Sequence, residues 1–96
     1  MTSQDPAAPP RRYSREQLAR LMEIASAVQC ECPNHLARIV TSLLAFEDYA
    51  LGCEDRNPED ARVHRMLYER TARARGVMDQ ALAELLAHEG IELPLS

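Results

Sequence analysis

Hydrophobic positions along the chain fall into three runs, each with helical spacing. In the first run, Leu18, Leu21, Met22, Ala25 and Val28 recur at steps of three and four. Ser14 and Gln17 form a capping-box pair at its start, and Tyr13 and Leu18 occupy the positions of a hydrophobic staple. This pattern predicts a helix from about Arg15 to Val28. In the second run, Leu36, Ile39, Val40, Leu43, Leu44 and Phe46 carry an apolar face that Tyr49, Ala50 and Leu51 extend. Pro33 suits the first turn of this helix, which puts Cys32 at its N-cap, and Gly52 marks the stop. The segment CEDRN that follows reads as a turn.

The third run begins at Asn57-Pro58-Glu59-Asp60. It combines an Asn cap, a first-turn proline, and acids where the helix dipole favours negative charge. A seam then runs through Val63, Leu67, Thr71, Ala74, Met78, Ala81 and Leu85, with heptad-like steps from Leu67 onward. Gly76 lies inside this helix and weakens or bends it, costing about 1 kcal/mol relative to Ala. Gly90 offers a left-handed cap after Glu89, and the tail IELPLS is apolar enough to pack back.

The sum is an all-α fold: a three-helix antiparallel bundle with a long third helix. The second helix would be about 30 Å long and the third about 45 Å. The excess length leaves Ala81 and Leu85 without partners in one chain, which predicts a homodimer forming a larger bundle through the Val63–Leu85 seam. Residues 1–12, MTSQDPAAPPRR, read as a disordered arm, and residues 13–96 as one helical domain.

Composition supports this outline. Hydrophobic residues make up 46% and charged residues 27%, within the ordinary range for a soluble domain. A single Phe, three Tyr and no Trp point to an aliphatic core. The formal charge of −4 argues against general attraction to nucleic acid. Arg62, Arg65, Arg70, Arg73 and Arg75 are interspersed with acids and read as a solvated helix face. No apolar run suits a membrane span or a signal peptide, so a cytoplasmic setting with reduced cysteines is expected.

Candidate chemistry gathers in QCECPNHL, residues 29–36. Cys30, Cys32 and His35 offer thiolate and imidazole, which suit zinc, copper or haem iron. A thiolate at the helix cap would be favoured by unpaired N–H groups and the dipole. A zinc site needs a fourth ligand. Glu31 is the local oxygen donor, while Cys53 and His64 belong at the far end of helix two and His88 overshoots the near end. The bland alternative is a helix start whose cysteines only pack. His64 and His88 also read as surface partners of Asp60 and Glu84, four positions earlier. No Glu-x-x-His pair, catalytic triad or phosphate-binding glycine loop is present.

The segments CECPNHL, LLAFEDYALGCEDRNPEDARVHRML and TARARGVMDQALAELLAHEGIEL resemble the C-terminal segment of certain bacterial MerR-type transcriptional regulators. Matching positions include Cys30, Cys32, Pro33, His35 and Leu36, then Phe46, Glu47, Tyr49 and Cys53, then Asp60, Ala61, His64, Glu89 and Gly90. The resemblance spans about residues 14–93 and implies a sensory or oligomerisation role in gene regulation. The winged helix-turn-helix of that family has no counterpart before residue 14, so direct DNA binding is not expected. Three functional expectations follow. The first is a regulatory module sensing metal, haem or redox state through Cys30, Cys32 and His35 and acting on a regulatory protein partner. The second is a purely structural dimerisation module. The third, less favoured, is a thiol enzyme with Cys32 as nucleophile and His35 as base.

Overall fold

A computed structural model describes residues 9–24 and 31–93. These form three helices: α1 (Arg15–Ile24), α2 (Cys32–Gly52) and α3 (Pro58–Glu89), and no strand occurs among the described residues. The expected extension of α1 to Val28 lies outside them. None of the helices is long and apolar enough to cross a membrane.

Local chemistry accounts for most of the boundaries. At α1, Gln17 N–H donates to Ser14 Oγ at 3.0 Å and Ser14 N–H donates to Gln17 Oε1 at 2.9 Å, a reciprocal capping box. At α3, Asp60 N–H donates to Asn57 Oδ1 at 2.8 Å, with Pro58 in the first turn. Gly90 closes α3 at φ 68°, where only glycine sits without steric penalty, and Ile91 N–H returns to Leu86 O at 3.0 Å. The start of α2 differs from expectation. Glu31 is the N-cap, Cys32 is the first helical residue, and the Glu31 side chain makes no capping hydrogen bond.

α2 packs against both α1 and α3. The buried cluster joins Leu18 and Leu21 of α1, Ala37, Val40 and Leu44 of α2, and Leu82 and Leu86 of α3. Tyr13, Ile91 and Leu93 pack on it, so the hydrophobic staple and the returning tail both contribute.

The expected dimer seam lies beside the buried stripe of α3, and the reading of Arg75 as solvated needs correction. The buried stripe of α3 is Ala72, Arg75, Asp79, Leu82 and Leu86. The seam read from hydrophobicity lies one residue away, at the flank: Ala74 is exposed and the other six members are half-buried. One residue is 100° around a helix. The hydrophobic pattern chose the flank because two of the core positions are charged. Arg75 is therefore no part of a solvated face, being 2% exposed, whereas Arg62, Arg65, Arg70 and Arg73 are exposed as expected. The third helix is long and single, as expected, and continues through Gly76 to Glu89.

Candidate functional site

Two regions carry candidate chemistry. The first is the opening turn of α2. Cys32 and His35 are both exposed there, three positions apart and so on one side of the helix. His35 Nε2 lies 3.5 Å from Glu31 Oε1, and both side chains are largely in solvent. Cys30 falls outside the described residues. Among the described residues, no three His, Cys, Asp or Glu side chains gather as a metal-binding group.

The second-tier candidates lie elsewhere. Cys53 follows α2 and is half-buried. The 21 residues of α2 separate it from Cys32 by about 30 Å. His64 pairs with Asp55 at 2.7 Å, not with Asp60, because Asp60 binds Arg56 at 2.9 Å instead. His88 is exposed in the last turn of α3, and Glu84 accepts from Gln80 Nε2 at 3.0 Å.

The second region is a buried ionic cluster that hydrophobic patterning missed. Arg75 Nε donates to Glu47 Oε2 at 2.9 Å, and Nη2 donates to Glu47 Oε1 at 3.3 Å. Nη1 donates to Asp79 Oδ2 at 2.8 Å. The two remaining N–H groups reach the chain before α1: Nη1 to Pro10 O at 2.9 Å and Nη2 to Pro9 O at 2.7 Å. All five guanidinium donors are thereby used. Glu47 and Asp79 are 1% and 3% exposed, so one buried cation faces two buried carboxylates. Burial pushes the Arg75 pKa down. The hydrogen bonds and charges of Glu47 and Asp79 outweigh it and leave the value above the ordinary one.

Residues 9–12, assigned by composition to a disordered arm, are thus held against the helices. Arg11 Nη2 lies 2.7 Å from Asp48 Oδ1 and 3.8 Å from Glu47 Oε1. Arg12 Nη1 donates to Gln80 Oε1 at 3.2 Å. Arg15 also reaches Asp48, at 2.7 Å, and the hydrogen bonds from Arg11 and Arg15 hold the Asp48 carboxyl below its usual range. Burial raises the Tyr13 pKa against the opposing charge of Arg12, with Asp79 adding to the rise.

Gly76 makes this approach possible. A Cβ there would lie 2.6 Å from Pro9 Cγ, inside any tolerable contact. A cleft of about 330 Å³ runs between the arm and α3, lined by Pro9 to Arg12, Gly76, Asp79 and Gln80. Asp79 Oδ1 is buried beside it with no hydrogen-bond partner among the described residues.

A signal for this cluster existed in the sequence. Glu47 continues the core stripe of Val40 and Leu44, and Arg75 and Asp79 sit at steps of three and four between Ala72 and Leu82. A carboxylate on one core stripe requires a cation on the facing one. Comparison with family models, curated proteins and solved structures gives no match.

Proposed function

We propose that the chain is a small helical interaction module of gene regulation: an antiparallel three-helix bundle that pairs with a second copy through α2 and α3. One observation carries this reading. On α2, Ile39 is 48% and Phe46 39% exposed, with half-buried Leu43 between them. On α3, the flank bearing Leu67, Ala74, Met78 and Leu85 is half-buried to exposed. The arm and α1 reach the other side, through Asn34 and Asp48 of α2 and Gly76, Asp79 and Gln80 of α3. At 100° per residue these two sets are nearly opposite on both helices. Among the described residues, an apolar face two helices wide is therefore left over where α1 does not reach, and a second copy would cover it.

The resemblance to the C-terminal part of MerR-type regulators supports a regulatory setting with a protein partner. Sedimentation equilibrium tests the pairing. A dimer at micromolar concentration is expected, converted to a folded monomer by Ile39→Glu with Phe46→Glu. A wild-type chain that stays monomeric at high micromolar concentration refutes the reading.

A second reading is a sensor at the opening turn of α2, favoured by the exposure of Cys32 and His35 on one side of the helix. Cys30, Glu31 or a second chain would complete a zinc or copper shell, and haem iron is the other cofactor that this donor set suits. Elemental analysis and a visible spectrum of the purified protein test it, and Cys32→Ser should abolish any bound metal or haem.

A further inference from the structure

We infer that the groove formed by Arg75, Gly76, Asp79 and Gln80 of α3 with Glu47 and Asp48 of α2 is a recognition site for extended proline-rich peptides followed by arginine. The chain's own Pro9-Pro10-Arg11-Arg12 segment occupies it in cis. Everything the groove contacts in that segment belongs to the peptide, not to its connection with α1. Arg75 donates to the two proline carbonyls at 2.7 and 2.9 Å. Prolines lack an N–H, so recognition through carbonyls alone suits them, and a preformed polyproline conformation loses little entropy on docking.

The bare Gly76 backbone receives the Pro9 ring, where a Cβ would stand 2.6 Å from Cγ. Asp48 and Gln80 then take the two arginines at 2.7 and 3.2 Å. The occupant also leaves the groove incompletely satisfied. Among the described residues Asp79 Oδ1 is buried without a hydrogen-bond partner, and Arg12 N–H reaches Asp79 Oδ2 only at 3.4 Å. A peptide bringing one more donor has a place to put it. Covalent attachment gives the arm a local concentration on the order of millimolar, so it acts as a competitor that an outside peptide must displace.

The full-length chain carrying Gly76→Ala tests the cis half. Alanine is the better helix former, so the bundle is retained while the methyl group expels Pro9. Trypsin should cut after Arg11 and Arg12 at least tenfold faster in this variant than in the wild type, with the helical circular-dichroism spectrum and a cooperative melting transition retained. Equal cutting rates would overturn the assignment.

The trans half uses a full-length chain whose arm carries Pro9→Gly and Pro10→Gly, titrated with acetyl-Pro-Pro-Arg-Arg-amide and followed by amide NMR. Saturable shifts at Gly76, Asp79 and Gln80, lost when Gly76→Ala is added, are expected. Absence of saturable shifts, or shifts that persist with Gly76→Ala, would refute a peptide site.

Discussion

The opening turn of α2 and the Arg75 cluster are opposites. The first holds the residues with the most conspicuous chemistry, and there Cys32 and His35 are exposed, with His35 Nε2 in a loose 3.5 Å pair with Glu31. The second is built from residue types common on any helix surface. Yet it binds three segments of the chain through five hydrogen bonds on one side chain. Conspicuous side chains mark where chemistry could occur. Buried charge marks where the fold commits itself to a geometry, because an ion out of water must find its partners.

Removing the cation should break the second region hardest. Arg75→Ala would leave Glu47 and Asp79 buried without their counter-charge, at a cost of about 3–5 kcal/mol. That is a large part of the stability of a domain of this size, usually about 5–15 kcal/mol. Urea denaturation followed by circular dichroism reads it. Replacing all three groups together, Arg75→Met with Glu47→Leu and Asp79→Leu, should be neutral or stabilising while freeing the arm. If the single variant is as stable as the triple one, the cluster is not paired as described.

The two helix starts give the next contrast. Asn57 caps α3 through a 2.8 Å bond, whereas Glu31 makes no side-chain cap at α2. Asn57→Ala should therefore cost about 1 kcal/mol in the same denaturation experiment. Glu31→Ala should cost no more than a few tenths, in line with the small effect of exposed changes away from caps. Comparable losses would mean that the α2 start is as well fixed as the α3 start.

The arm's contact with α2 responds to acid. Asp48 has a folded pKa lowered by Arg11 and Arg15, so its stabilisation is complete above the ordinary Asp value of about 3.9. It is lost as pH falls through the lower folded value, because protonation then removes the anion both arginines hold. With the Asp48 side chain 47% exposed, the effect on stability is small, but the titration is direct. Carboxyl NMR should place the Asp48 midpoint below the ordinary value in the wild type and closer to it with Arg11→Ala and Arg15→Ala. A midpoint indifferent to both arginines would remove this tie of the arm.

Much of the fold was legible from residue order. The capping box at Ser14, the Asn57-Pro58 start and the Gly90 stop are local devices, and local devices can be read from neighbours in sequence. The facing of α3 was not legible from hydrophobicity, because Arg75 and Asp79 stand where apolar residues are normally counted. The hold on Pro9 and Pro10 was illegible for another reason: it depends on backbone carbonyls meeting a residue 65 or 66 positions away. Gly76 shows the same limit, since sequence marks it as a weak point of the helix and only the packed structure shows what its missing side chain admits.

The smallest expected effect returns to the conspicuous turn. Cys32 and His35 are exposed and bury little in the core, so Cys32→Ser with His35→Ala should shift stability by no more than about 0.5 kcal/mol. That near-silence is informative because it separates two uses of the same residues. If the pair served packing, the double variant would lose stability whether or not any metal were present. If it serves ligation, stability without metal stays level while added zinc raises the melting temperature of the wild type alone, since a ligand that binds only the folded state stabilises it by mass action. Melting curves of both proteins with zinc and with chelator distinguish these outcomes. A metal-independent loss well above 0.5 kcal/mol would show that the turn is a structural element after all, and would erase the contrast with the Arg75 cluster.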